Sequence, residues 1–225
     1  MKTIKQSVRR RRAATDPIER ANRKDDDVFI REHLCPRYIS TPTWAEWTNP
    51  KTQDKFSLSL NRSGNMSGED LDACFRLVEE TSRADYESSA RGWKPSKKLA
   101  EMRSPEMRYI TVKDITGSVR GFTSLMPTYE EGEPVLYCYE IHLKPELQGT
   151  GLGKMLMGLL ESVAAHTPPI KKVMLTCFLN NQRALTFYHK SGFKKDEISP
   201  VPRKLRFGKE VVPDYAILSK VVNSC

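Results

Sequence analysis

The sequence predicts an α/β domain: a mixed, largely antiparallel sheet with helices on both faces and an N-terminal helical extension. Three observations carry this reading. A β-branched and aromatic run, Val135 to Leu143, leads into Gln148-Gly149-Thr150-Gly151-Leu152-Gly153-Lys154 and then a helix-like run from Lys154 to His166. A second strand, Lys172 to Phe178, and a second helix, Gln182 to Lys190, follow in the alternating order of a parallel strand pair. Upstream, Met107 to Lys113 and Val119 to Met126 flank Thr116-Gly117 as a hairpin, so the rest of the sheet is antiparallel.

The elements follow in order. Residues 1–14 are polar and basic, with no promise of a packed core, and are expected to be disordered. Asp16 before Pro17 signals a helix start, so one helix is expected over 16–34, ending before Pro36. Its Val28, Ile30 and Leu34 can pack on the body. Pro36, Pro42 and Pro50 make 36–52 an irregular connection. The division is therefore an arm at 1–14, a helix and connection at 15–52, and an α/β domain at 53–225.

Within that domain Lys55 to Leu60 is the first strand. Ser67-Gly68-Glu69-Asp70 resembles a capping box, and Leu71, Cys74, Phe75 and Val78 form the apolar stripe of a helix running to about Ser88. Lys97 to Arg103 is a short helix. Leu152, Met155, Leu156, Leu159, Leu160 and Val163 give the helix after the glycine loop a wide apolar face. Gly192 stops the next helix, and Tyr215 to Val222 is the closing strand.

Charge and cysteine usage bound the function. The chain carries +9, but residues 1–24 hold nine Lys/Arg against Asp16 and Glu19, a local +7 that leaves the body near +2. Arg9 to Arg12 reads as a nuclear-import signal or a weak nucleic-acid contact. A folded nucleic-acid-binding domain is not expected, because the charge is not spread over the body. Five scattered cysteines, an odd number with no Cys-x-x-Cys pair, suit a reducing compartment, nucleus or cytoplasm, and no metal is expected. No apolar run reaches the ~18 residues that span a bilayer, so no membrane association is expected, and a monomer is.

The glycine loop is a phosphate cradle. Alternate glycines let backbone approach a ligand, and the helix start offers unpaired N–H groups to a pyrophosphate. A dinucleotide fingerprint requires Gly-x-Gly-x-x-Gly, and a P-loop requires Ser or Thr where Met155 follows Lys154. The loop instead resembles Gln/Arg-x-x-Gly-x-Gly/Ala, the pyrophosphate loop of the GNAT superfamily of acyl-CoA N-acyltransferases. The order of strand, glycine loop, helix, strand, Asn180-Asn181, helix with Tyr188, then Ser191-Gly192-Phe193 resembles that superfamily over about residues 107–222. The resemblance implies a GNAT fold and acetyl-CoA as co-substrate. It implies cofactor contacts from Ile141, His142 and Leu143 of the strand, from Gln148 to Lys154 of the loop, and from Asn181. Asn181 is equally placed to cap its helix, and the side chain of His142 need not take part.

Period-two alternation puts Tyr137, Tyr139 and Ile141 on one strand face, with Leu136, Cys138 and Glu140 on the other. A carboxylate flanked by Cys138 and Ile141 is expected to have a raised pKa, suited to a general base. Tyr139 offers a phenol to an amine or a water, and Tyr188 matches the GNAT tyrosine that protonates the leaving thiolate. Glu140 and Tyr139 both stand as candidate bases.

A closer resemblance lies in Val135 to Glu140, Gly151 to Lys154, Lys171 to Thr176, Tyr86-Glu87 with Gly92-Trp93-Lys94, and Tyr215 to Ser219. Over about residues 55–222 the chain is similar to the NatD family, which acetylates the N-terminal α-amine of histone tails beginning Ser-Gly-Arg-Gly. That resemblance implies peptide contacts from Tyr86, Trp93, Tyr139, Thr176 and Tyr215. Arg91 and Thr128 depart from the family pattern. Glu130, Glu131 and Glu133 stand near the second departure as alternative acids for the substrate's arginine.

Overall fold

The computed structural model describes residues 16–34, 44–204 and 210–223. The basic arm predicted at 1–14 lies outside them. Two short helices replace the single helix predicted for 16–34. Asp16 caps α1 (Pro17–Arg23), accepting from the Ile18 and Glu19 N–H groups. Asp25 then accepts from Val28 N–H and starts α2 (Asp26–Phe29), which a π-helical turn continues to Leu34. The Asp-rich run supplies a second cap, which competes with continuation of the first helix.

The sheet begins with β1 (Glu46–Thr48), inside the stretch predicted to be irregular. It is too short to show a period, and pairs antiparallel with β2 (Lys55–Arg62). Next come α3 (Gly68–Glu87), capped by the Ser67 hydroxyl, and α4 (Pro95–Met102). Asp70 does not complete a capping box; its carboxylate accepts from Lys113 instead, at 2.7 Å. The strands β3 (Arg108–Lys113), β4 (Val119–Glu130) and β5 (Glu133–Leu143) form a meander. β4 runs past the predicted end at Met126 to a two-residue turn in which Glu131 and Gly132 both have positive φ, the geometry that matches hairpin twist. α5 (Leu152–Ala165), β6 (Lys172–Phe178) and α6 (Gln182–Lys190) follow. Short strands β7 (Lys194–Lys195), β8 (Arg203–Lys204) and β9 (Glu210–Val211) precede β10 (Tyr215–Val221).

Among the described residues, eight strands form one sheet in the order β1-β2-β3-β4-β5-β6-β10-β7, in which only β5 and β6 pair parallel. The N-terminal helices, α5 and α6 cover one face through Ile18, Phe29, Leu156, Leu160 and Leu185. α3 and α4 cover the other through Leu71, Cys74, Leu77, Val78 and Met102. Adjacent residues of β3 divide between the layers: Tyr109 faces α3, Ile110 faces α5.

Arg108, fully buried in β3, fastens the N-terminal helices. Its guanidinium lies 2.5 Å from Asp26 Oδ1, donates to the Lys24 carbonyl at 2.6 Å, and sits 4.0 Å from the Phe29 ring centroid. Burial pulls its pKa down to about 10, with Arg62 adding to the fall and Asp26 opposing it.

A bulge overturns the predicted face alternation of β5. Cys138 pairs with Leu125 and Glu140 with Ser124, so Tyr139 has no opposite residue on β4. The extra residue reverses the alternation. Cys138 and Ile141 both pack toward the α5 layer, whereas Tyr139 and Glu140 both turn toward α3 and α4. The kink thus brings the two candidate bases to one side of the sheet.

Candidate active site

β5 and β6 pair over only three residue pairs, Leu136↔Val173, Tyr137↔Met174 and Cys138↔Leu175. Past Cys138 they part, and a cleft of about 1400 Å³ opens between the glycine loop and Trp93. The β5 edge from Tyr139 to Leu143 has no β6 partner there, so backbone groups of Ile141, His142 and Leu143 border the cleft.

The loop end has the form of an anion cradle. Gly149 and Gly151 have φ of 72° and 95°, and a Cβ at either would point into open space. Gly151 is the N-cap of α5 and supplies no side chain, so the first N–H groups of the helix are free for a ligand. Gln148 and Thr150 shape the turn: the Gln148 amide donates to the Leu143 carbonyl at 2.9 Å, the Thr150 hydroxyl to the Leu147 carbonyl at 2.6 Å. Lys154 and Gly153 line the cleft, whereas Leu152 is buried in the core below it. Asn181 lines the cleft but spends both ends on the protein, capping α6 at Ala184 N–H and donating to Asp85 Oδ2 at 2.9 Å. Tyr188 projects into the cleft from α6; burial pushes its pKa well above the ordinary phenol value.

At the other end Glu140 contradicts its predicted raised pKa. It is 8% exposed, and burial alone would raise the carboxyl. Lys98 Nζ at 2.7 Å and His142 Nε2 at 2.5 Å outweigh that penalty and hold it at about 2. Lys98 is itself 8% exposed and also donates to Glu101 Oε1 at 2.6 Å. His142 reaches the Thr81 hydroxyl at 2.6 Å through Nδ1, so its side chain belongs to the site rather than to an idle strand position. A carboxyl titrating near 2 is a fixed anion at neutral pH and a weak proton acceptor. Burial lifts the Tyr139 phenol to about 12, so it stays protonated. Neither candidate base has a pKa near neutrality.

The chamber around Glu140 has aromatic walls. Trp93 stacks on Phe75 at 6.0 Å between centroids and tilts against Tyr86, which meets Phe178 edge-on. Thr176 lines it but shares its hydroxyl with Tyr137 Oη at 2.6 Å. Tyr215 is not in the lining but pairs directly with Phe178, which is, and lies under the Arg91 guanidinium at 4.5 Å. Of the three acids at the β4–β5 turn, Glu133 pairs with Lys172 and Glu131 is exposed. Glu130 alone lines the cleft, with a pKa raised by burial and by Glu131.

Sequence reasoning missed Lys98, Thr81, Glu101 and Tyr137. Lys98 had a faint signal: it lies four residues before Met102, and these two are the buried positions of α4. A lysine on the apolar stripe of a helix needs a buried partner. Alternation set Tyr137 on one strand face with Tyr139 but gave it no role.

The acetyltransferase (GNAT) family model matches residues 69–193, more than half of the chain. The chain belongs to the GNAT acetyltransferase family. Within that family it is 35% identical over 156 residues to N-alpha-acetyltransferase 40 of Saccharomyces cerevisiae, over 59% of this chain and 54% of that protein. The chain thus spans about half the length of this relative. Among solved structures, the GNAT phosphinothricin acetyltransferase of Sinorhizobium meliloti, in complex with AcCoA, superposes with a TM-score of 0.53 at 14% identity, over 74% of this chain and 89% of that one. Arabidopsis thaliana NAA60, in complex with a bisubstrate analogue, gives 0.51 at 11% identity, over 75% and 100%. These superpositions show that the GNAT fold is shared.

Proposed function

We propose that this chain is an acetyl-CoA-dependent N-terminal α-acetyltransferase of histone tails beginning Ser-Gly-Arg-Gly. The observation that carries the reading is one continuous cleft with an anion cradle at one end and, at the other, an aromatic-walled chamber that holds the buried Glu140 carboxylate. Similarity to the yeast N-alpha-acetyltransferase supports it.

Bound in the cleft, acetyl-CoA supplies an activated thioester. The chain's own residues grip and orient. Gly149, Gly151 and the first turn of α5 present N–H groups to the pyrophosphate, with Lys154 beside them. The unpaired edge of β5 aligns the pantetheine arm and offers an N–H to a developing oxyanion. Tyr188, protonated at neutral pH, donates a hydrogen bond to a departing thiolate.

The amine requires little from the protein. An α-amine with pKa ~7.8 is ~10–15% neutral at pH 7, against ~0.04% for a lysine amine. Glu140 therefore acts as an anionic anchor for the amine, and Tyr139 as a neutral hydrogen-bonding partner, while the proton leaves to water. Glu130 receives the substrate's third-position arginine, and Tyr86, Trp93, Thr176 and Tyr215 flank the peptide. The arm with its arginine run directs the chain to the nucleus, with a further pool in the cytoplasm. The test compares a Ser-Gly-Arg-Gly-Lys peptide with the same peptide blocked at its α-amine. Acetylation of the free peptide alone is expected; equal rates on both would assign the cleft to lysine.

A further inference from the structure

We propose that Lys98 is a positioning residue for the reaction, holding Glu140 ionised and in one rotamer against the substrate amine. This rests on the reading of Glu140 as the amine's anchor. Three observations support it. Lys98 and Glu140 are both 8% exposed and bond at 2.7 Å across the gap between α4 and β5. Lys98 is itself fixed from two further sides, by Glu101 Oε1 at 2.6 Å and by the Tyr86 ring, whose centroid lies 5.2 Å from Nζ. One ammonium therefore ties the anchor to the aromatic wall that flanks the peptide.

The charges explain why a cation belongs beside an anchor for an amine. A carboxylate this buried would take up a proton and lose its attraction for an amine unless a fixed positive charge faced it. Lys98 supplies that charge and shares it with Glu101. At the ammonium itself two carboxylates, Glu140 and Glu101, meet one positive charge. His142 faces the other carboxylate oxygen, and Thr81 braces His142 from α3. The titratable groups facing Lys98 are Glu140 and Glu101, the Tyr86 phenol from α3 and, through Glu140, His142; Arg91, Lys94 and Lys97 line the same cleft.

The experiment follows the Glu140 carboxyl directly, by carbon-13 NMR of glutamate-labelled protein, with its signal assigned by loss in Glu140→Gln. It is read alongside the pH profile of kcat/KM on the free peptide. In wild type and Lys98→Arg the signal should not titrate above pH ~4.3, the ordinary glutamate value. In Lys98→Met it should titrate above that value. Below the new midpoint the acid limb should steepen from one proton to two. Lys98→Gln keeps a hydrogen bond to Glu140 and gives the same readouts should the methionine variant not fold. A neutral variant whose Glu140 still titrates below ~4.3, or whose profile merely drops in parallel with wild type, overturns the proposal. Because the NMR titration needs no substrate, it stands even if the peptide proves not to be acetylated, and the two readings fail separately.

Discussion

Replacing Asp26 by Asn should destabilise the fold far more than its position on a short peripheral helix suggests. Asn keeps the shape of the side chain and an acceptor oxygen for the Arg62 N–H, now 3.1–3.2 Å from the carboxylate. It removes the charge that faces Arg108, a guanidinium with no exposure to solvent. Leaving a buried charge unpaired costs about 3–5 kcal/mol. For a chain of this size that is a fall of roughly 6–20 °C in melting temperature. An exposed comparison lies in the same molecule: the Lys220–Glu161 pair is more than a quarter exposed on both sides, so Glu161→Gln should cost under about 1 kcal/mol. Denaturant unfolding of both variants, and of Asp26→Asn combined with Arg108→Met, measures the difference. The double variant should lose at least about 1 kcal/mol less than the sum of the singles. A loss for Asp26→Asn no greater than for Glu161→Gln, or strict additivity in the double, would refute the view that this clasp holds the N-terminal helices.

Other outcomes follow from the same structure. Gly151→Trp puts a side chain on a backbone with φ of 95° and into the open space of the cradle, and should abolish acetyl-CoA binding by calorimetry. Glu130→Gln should raise KM for the Ser-Gly-Arg-Gly peptide about tenfold and leave a peptide with Ala at the third position nearly unchanged, since only the first loses an ion pair of about 1.4 kcal/mol. The Glu140 carboxyl, held at about 2, stabilises the fold fully above pH ~4.5 and loses that stabilisation as pH falls toward ~2. Glu140→Gln should therefore flatten the acid-unfolding curve between those values, whatever its stability at pH 7. Deleting residues 1–14 should leave acetylation of a short peptide within about twofold, or ~0.4 kcal/mol.

Most of the fold was legible because its central elements are long and periodic. Lys172–Phe178 and Gln182–Lys190 have the predicted limits, and Val135–Leu143 and the helix after the glycine loop differ by two residues at most. The misses lie where local chemistry competes with period. Asp25 caps a second helix inside the predicted one, and three residues of β1 are too few to announce a strand. The backbone geometry of the glycine loop was legible too, since glycine spacing dictates it directly. The charge state of Glu140 was not. It depends on Lys98, 42 residues away, and on a bulge at Tyr139 that no alternation pattern reveals. Read as a regular strand, β5 places Glu140 among apolar neighbours and predicts a raised pKa; one extra residue turns it toward an ammonium and reverses the sign.

The central claim is that this cleft delivers an acetyl group to a peptide's first amine. Fragmentation mass spectrometry of a Ser-Gly-Arg-Gly-Lys peptide after incubation with the full chain and acetyl-CoA tests it most directly. A single acetyl group is expected, on the serine α-amine; an acetyl group on the lysine, with the α-amine free, would contradict that assignment.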